Sequence, residues 1–351
     1  YFKQNATSVS AYGQATLKLT DSLRVQGGLR WSHDKKKADM ANLLGPNPST
    51  AIAVSLPPNV LSNIRRSESK VSYMVGTQFN VAPDNMIYLR YATGYKAGGF
   101  NARNPSPGLP FEFNYESSDT IEFGFKSSLF DRRLQLNVSA FRMNLNDFQD
   151  SILNPTGVGF SVGNAGDRRV DGVEADLQLR ISPNLRLQGG LSYLDAVFTN
   201  YGAGQCYSGQ VADGSRPGTC NYTGRTPAQS PKFSGNLAVE YTRPINGGRL
   251  ELFLMGDMSH TSSVYLDPLL DPRSFQTGRD LFGARIGIQA ANGSWRFSLY
   301  GKNLSNKTYY AQATTMPLGA FISAGGTAAA SGYVGWYAPP RVYGAELSTR
   351  F

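Results

Sequence analysis

The side chains able to do chemistry are few and poorly grouped for catalysis. His33 and His260 are the only histidines, far apart in the chain, and neither has the short helical His/Glu spacing of a zinc site. Each reads as a strand-end or loop residue. Asp267, Asp271 and Asp280 offer oxygens of the kind calcium takes, but they are spread along a Pro-broken segment and make no compact cation cage. Solvated loop carboxylates are the better reading, and neither a metal site nor a cofactor is expected. Gly94, Gly98 and Gly99 superficially imitate a phosphate loop, yet the required order of strand, glycine turn and helix is absent. No nucleophile stands with a histidine partner, so an enzyme is not expected. What remains is a binding mixture. Tyr95, Lys96, Phe100, Asn101 and Arg103 combine aromatic, amide and cationic groups, which suit an anion held by charge and stacking.

Cys206 and Cys220 are the only cysteines and lie in a Gly/Ser/Asn-rich stretch. One pair closing a polar loop suits an oxidising compartment; two free thiols in that loop stay an open alternative. The formal net charge of +9 allows nucleic acid, an anionic membrane surface or an anionic ligand as partner. Lysines and arginines are scattered singly, Lys35-Lys36-Lys37 is the only run of three, and no basic helical stripe exists. Nucleic acid is therefore not expected, and the lysine run reads as a solvated rim.

The elements that must position these groups are strands. With 38 Gly, 19 Tyr and 19 Phe and few consecutive apolar residues, the chain has no stretch able to form a transmembrane helix. Alternation of period two recurs throughout. Trp295, Phe297 and Leu299 oppose Arg296, Ser298 and Tyr300; Leu250, Leu252 and Leu254 oppose Glu251; Val71, Tyr73 and Val75 oppose Ser72. Val173, Ala175, Leu177 and Leu179 oppose Glu174, Asp176, Gln178 and Arg180. One face is apolar and the other fit for water.

Short breakers fall at Thr20-Asp21-Ser22, Pro83-Asp84-Asn85, Phe130-Asp131-Arg132, Ser182-Pro183-Asn184, Asn246-Gly247-Gly248 and Asn292-Gly293, each suited to a tight hairpin. Between them run long polar segments, at 36–66, 96–114, 148–168, 199–232, 262–278 and 303–339. Strict alternation of short turn and long loop puts all turns at one end of the strands and all loops at the other. The pattern predicts an all-β transmembrane antiparallel β-barrel with short periplasmic turns and long external loops, rather than a sandwich or propeller. Trp31, Tyr95, Tyr193 and Tyr265 are candidates for its interfacial girdles. About thirteen strands are expected, an odd number that an all-antiparallel barrel does not accommodate alone. Further strands ahead of Tyr1 are therefore expected.

The last segment alternates Tyr343, Ala345, Leu347, Thr349 and Phe351 against Glu346, Ser348 and Arg350. An aromatic final residue on such a strand resembles the signal read by the outer-membrane barrel-assembly machinery, with Tyr343, Leu347 and Phe351 as its apolar positions. Gly301-Lys302-Asn303-Leu304-Ser305-Asn306-Lys307-Thr308-Tyr309-Tyr310 resembles the stretch before the last external loop of TonB-dependent receptors. Tyr91-Ala92-Thr93-Gly94-Tyr95-Lys96-Ala97-Gly98-Gly99-Phe100-Asn101 is similar to a strand-to-loop passage of that family's iron-complex branch. Asn164-Ala165-Gly166-Asp167-Arg168-Arg169-Val170-Asp171-Gly172-Val173-Glu174 resembles a third recurrent stretch.

This resemblance implies that 1–351 is the C-terminal portion of a twenty-two-stranded barrel in the outer membrane of a Gram-negative bacterium, with the N-terminal plug and first strands absent. It implies active transport of a scarce nutrient, a ferric siderophore or other iron complex first, energised through the TonB-ExbB-ExbD system. A passive porin or adhesin barrel is the alternative. Loops 96–114 and 148–168 would lie over the mouth, with Tyr95, Lys96, Phe100, Asn101 and Arg103 as ligand contacts. The Lys and Arg there suit lipopolysaccharide phosphates equally.

Overall fold

The computed structural model describes residues 1–42, 59–101, 111–153, 160–207, 209–315 and 333–350. Thirteen strands form one antiparallel sheet: β1 (Phe2–Lys18), β2 (Leu23–Asn42), β3 (Asn59–Ala82), β4 (Asn85–Lys96), β7 (Glu116–Leu129), β8 (Leu134–Leu153), β9 (Phe160–Ser182), β10 (Leu185–Asn200), β13 (Phe233–Ile245), β14 (Leu250–Thr261), β17 (Arg279–Ala290), β18 (Trp295–Lys302) and β21 (Val342–Thr349). Each pairs with the next sheet strand along the chain. Four two-stranded ribbons stand on the connections: β5 (Gly99–Phe100) with β6 (Glu112–Phe113), β11 (Gly204–Gln205) with β12 (Thr219–Cys220), β15 (Val264–Tyr265) with β16 (Phe275–Gln276), and β19 (Tyr310–Thr315) with β20 (Tyr333–Tyr337). Among the described residues, no helix is long and apolar enough to cross a membrane.

The expected alternation of connections is observed. Turns at 19–22, 83–84, 130–133, 183–184, 246–249 and 291–294 close one end of the sheet, and the six longer connections lie at the other. At Asn246-Gly247-Gly248 all three residues take left-handed φ (51°, 63° and 82°), which Asn and Gly adopt cheaply. Phe130, Asp131 and Arg132 take the same region (54°, 53° and 63°) with no glycine to relieve the Cβ clash. The expected loop boundaries are corrected: Lys35, Lys36 and Lys37 lie inside β2, and much of 148–168 belongs to β8 and β9. β3 and β9 contain 24 and 23 residues, whereas a tilted crossing needs about 9–11. Because the tight turns hold the other end, this surplus extends beyond the external surface.

The sheet has an apolar exterior. Val71, Val75, Phe123, Leu191, Ile286 and Leu299 are all exposed and share one face by parity and register. About half of each side chain is left to the surroundings, so facing lipid in place of water gains it roughly 1 kcal/mol. Polar partners occupy the opposite face. Arg90 meets Glu122 at 2.7 Å, Tyr88 donates to Glu122 at 2.5 Å, and Arg285 reaches Glu346 at 3.1 Å.

That inner face also carries aromatics, which simple alternation does not expect. Tyr88, Phe141, Phe253 and Tyr300 each lie opposite a glycine of the next strand, Gly124, Gly172, Gly287 and Gly344. Each ring occupies the space where that glycine's Cβ would stand. A ring laid over a glycine fills the pleat and restores packing the glycine lacks. Arg296 caps Phe253 at 3.7 Å from the ring centre.

Of the four girdle candidates, Trp31 and Tyr193 are exposed on the outer face, as a girdle residue must be. Tyr95 and Tyr265 are not. Tyr95 turns its hydroxyl to Asp34, and Tyr265 sits in a loop ribbon against Phe275, 5.3 Å between ring centres. Tyr343 and Leu347 are exposed on the last strand; Phe351 lies outside the described residues.

Candidate functional site at the external mouth

Two assemblies of loop and strand end build the external mouth. The first surrounds the connection from β4 to β7. β2 and β3 send alternate residues inward at their external ends, and these hold the loop base by its backbone. Lys36 donates to Gly98 O at 2.5 Å, and Gly98 N donates to Glu68 Oε1 at 2.7 Å. Arg66 pairs with Glu68 at 3.2 Å and Glu112 at 3.5 Å. A Cβ on Gly98 would collide with the Phe113 carbonyl and the Arg66 guanidinium, so only glycine admits this approach.

On its other side the loop is tied to β8 and β9. Asn101 Nδ2 donates to Val162 O at 3.0 Å while Val162 N donates to Asn101 Oδ1 at 2.6 Å. Asn114 N donates to Asn164 Oδ1 at 2.7 Å, and Asn164 Nδ2 returns a bond to Asn114 O at 3.1 Å. Gln149 Nε2 reaches Ala97 O at 3.1 Å and Asn114 O at 3.0 Å. Lys70 stands 3.3 Å from the centre of the Tyr115 ring. Side-chain amides here replace a strand ladder.

The binding mixture read from sequence is thus divided. Lys96 remains at the surface, 60% exposed, with Glu116 3.5 Å away. Phe100 and Asn101 are 6% and 5% exposed; Phe100 stacks on Phe111 at 5.6 Å, and the Asn101 amide is committed to Val162. Tyr95 bonds inward to Asp34. Arg103 lies outside the described residues. Of the residues that hold the loop, Arg66, Glu68 and Gln149 do not stand out in sequence, while Lys36 is met there only in the lysine run and Asn164 only at the head of a family-like stretch. Nothing local marks their role in holding the loop, since that role depends on which strand stands beside them.

The second assembly joins the connections after β10 and β14. Phe148, Phe198, Tyr201, Cys220, Tyr222 and Leu270 form a buried cluster. Phe148 stacks on Phe198 at 5.6 Å, and Tyr201 meets Phe148 edge-on at 5.4 Å. The Tyr222 hydroxyl lies 2.6 Å from Gln205 O and 2.7 Å from Leu269 O, its one proton shared between the two connections. Burial pushes the phenols of Tyr201 and Tyr222 above the ordinary tyrosine range. Cys206 and Cys220 form a disulfide, Cα–Cα 5.1 Å.

Asp271 caps the 3-10 turn Pro272–Ser274 through Arg273 N at 2.8 Å and binds the Arg273 guanidinium at 2.6 Å. Burial alone would raise its pKa, but the bonds and charge of Arg273 outweigh burial and hold it below the usual carboxylate value. Asp267 accepts from Leu269 N at 2.8 Å. Both buried carboxylates therefore serve loop architecture; solvated positions were expected for them. His260 pairs instead with Asp280 at 2.7 Å, and among the described residues no group of His, Cys, Asp and Glu is arranged to hold a metal ion.

An antiparallel wall with a lipid-compatible exterior, a polar interior, tight turns at one end and braced loops at the other defines an outer-membrane β-barrel protein. More particularly, the chain belongs to the TonB-dependent receptor family: residues 1–304 match the family model described as TonB dependent receptor-like, beta-barrel. The probable TonB-dependent siderophore receptor PiuA of Acinetobacter baumannii is 27% identical over 245 residues, covering 68% of this chain and 30% of that protein. The pesticin receptor of Yersinia enterocolitica is 28% identical over 222 residues, covering 59% of this chain and 31% of that receptor. In fold, the chain resembles the ferric yersiniabactin uptake receptor FyuA of Yersinia pestis, with TM-score 0.72 and 19% identity, over 99% of this chain and 46% of that one. Copper transporter OprC gives TM-score 0.67 at 15% identity, over 98% of this chain and 48% of that one. The same wall therefore occurs in proteins whose names state different cargo. The chain spans 30% and 31% of the two curated relatives' lengths.

Proposed function

We propose that these thirteen strands are the C-terminal part of the barrel of a receptor that imports a ferric siderophore across the outer membrane, driven through TonB-ExbB-ExbD. Family membership together with a mouth whose loop base is braced by side-chain bonds of the chain itself carries this reading. Preorganised loops lose little entropy on capture, which favours tight binding of a scarce solute. The relative named as a probable TonB-dependent siderophore receptor supports an iron complex as cargo. The protein is read as a transporter and not an enzyme. Energy coupling and occlusion belong to the plug that the family encloses in its barrel.

At the mouth, Lys96 and Arg103 supply cations toward an anionic complex, and Tyr95, Phe100 and Asn101 shape the loop that presents them. Tyr343, Leu347 and Phe351 serve recognition by the barrel-assembly machinery. Uptake of radiolabelled ferric siderophores into a strain without other iron receptors tests the transport reading. Expression of the full gene is expected to restore uptake only while TonB is functional. Flux that survives loss of TonB would favour the passive barrel, and no flux with any ferric siderophore would overturn the cargo.

A further inference from the structure

The outer face carries charge beyond its aromatic residues, in two different ways. On β8, β9 and β10 that charge is cancelled internally. Arg142 binds Asp171 at 2.5 Å, Arg169 reaches the same carboxylate at 3.0 Å, and Lys232 lies 3.7 Å from Asp195. On β2 and β3 it is not. His33 follows Trp31 on the outer face, their rings 6.0 Å apart, and its two nitrogens meet Ser69 and Ser67 hydroxyls at 2.8 and 3.3 Å. Beyond it Lys35, Lys37 and Arg65 are exposed outward.

Register places Lys37 directly opposite Arg65 and Lys35 opposite Ser67. Among the described residues, no carboxylate comes within ion-pair distance of Lys35, Lys37 or Arg65. Arg65 Nε instead binds Asn63 Oδ1 at 3.0 Å, and Asp39, opposite Lys3 on β1, accepts the backbone N–H of Asn63 at 2.7 Å. Like charges directly opposed across two strands destabilise the pair, so an external anion is the natural complement. Lys36, between the two exposed lysines, points inward to Gly98 O. Parity alone thus gives one lysine run two different surroundings.

Position identifies the anion. At about 3.3 Å per residue along a strand tilted by roughly 40°, Lys35 stands about 10 Å beyond Trp31. Trp31 belongs at the membrane interface, so Lys35, Lys37 and Arg65 face the outer leaflet's headgroup layer and not the lumen. We infer that Lys35, Lys37 and Arg65 form a binding site for the phosphate groups of lipopolysaccharide on the outer wall, with Trp31 and Val71 beneath them against its acyl chains. A soluble ligand in the lumen cannot reach this face, and a phosphodiester lipid presents one phosphate where this patch offers three cations.

The test uses the full-length receptor purified from outer membranes, delipidated in detergent and titrated with bisphosphorylated lipid A, phosphate-free lipid A and phosphatidylglycerol. Binding is read by native mass spectrometry. Each cation near a membrane surface contributes about 1 kcal/mol, so replacing three is expected to weaken bisphosphorylated lipid A binding by at least roughly tenfold. The variant is Lys35→Ser/Lys37→Ser/Arg65→Ser, and its folding is checked by heat-modifiable gel migration. Arg169→Ser/Lys232→Ser, at the self-paired patch, is expected to bind as the parent does. Should the triple variant fail to insert, Lys37→Glu alone serves, at an exposed strand position, with several-fold weakening expected. Equal binding of lipid A by parent and variant, equal loss in the self-paired control, or equal affinity for phosphatidylglycerol would each overturn the assignment. None of these results bears on siderophore uptake, so the two proposals fail separately.

Discussion

The two assemblies over the mouth solve one problem by different chemistry. The β4–β7 connection is fastened to β3 on one side and β9 on the other by polar bonds, of which those through Asn101 and Asn164 are reciprocal. The connections after β10 and β14 bury a cluster of rings and close it with a disulfide. The difference follows from what each can exclude from water. A loop clasped by two strand ends satisfies its backbone through neighbouring side chains, whereas the long 201–232 connection must make its own interior. The first is expected to yield to changes of single amides, and the second to loss of apolar volume or its covalent brace.

The largest separation between them is expected from Tyr222→Ala. Tyr222 is 1% exposed and bonds both loops of the second assembly; removing a buried ring of this size costs about 3–5 kcal/mol. Hydrogen exchange should accelerate across 201–232 and 262–278 and stay unchanged at 97–101 and 111–115. Reduction of the disulfide, or Cys206→Ser/Cys220→Ser, should release about 3 kcal/mol of chain entropy constraint. It should expose 201–232 to protease with no new cleavage at the β4–β7 connection.

Asn101→Ala acts in the opposite sense. Leaving the Val162 N–H without its acceptor costs about 1–3 kcal/mol, and exchange should rise in 97–101 and 160–164 while the second assembly keeps its protection. Acid distinguishes the assemblies more mildly. Asp271 has its folded pKa lowered by Arg273, so its contribution is present above the unfolded carboxylate value, about 3.9. That contribution disappears as pH falls from there through the depressed folded value. Exchange protection at 266–276 measured between pH 5 and pH 2.5 should decline over that window, and Asp271→Asn should abolish the dependence. The smallest effect is expected at the opposite end of the sheet. Arg132→Gly removes one Cβ from left-handed backbone and should raise stability by about 1 kcal/mol, with neither assembly altered in exchange.

These contrasts also mark what the sequence could reveal. Period-two alternation and the Asn/Asp/Gly breakers disclose the sheet order, the thirteen strands and the end at which loops gather, because each is a local property repeated many times. Loop boundaries were less legible. Lys35-Lys36-Lys37 is as polar as a loop, yet β2 keeps its ladder there because the strand continues beyond lipid, where no apolar outer face is required. Phe148, expected at the start of a loop, lies 5% exposed in the second assembly's core, and nothing in its neighbours announces the rings it meets. The aromatic-over-glycine pairs on the inner wall were invisible because they depend on cross-strand register. Tyr95, Phe100 and Asn101 look alike in sequence as binding groups, but only the fold reveals that two are buried and all three already have partners.

Everything above depends on which face of the sheet meets lipid. Nitroxide labels placed one at a time at Leu254, Ile286 and Phe297, and at Phe253, Arg285 and Arg296, in the full-length receptor reconstituted in bilayers, measure this directly through collisions with oxygen and with a water-soluble nickel chelate. The expected result is oxygen-dominated relaxation at the first three positions and low oxygen access at the second three. Uniform access at all six, or lipid exposure at Arg285 and Arg296, would contradict the barrel-wall assignment and with it the mouth and the outer-wall lipid site.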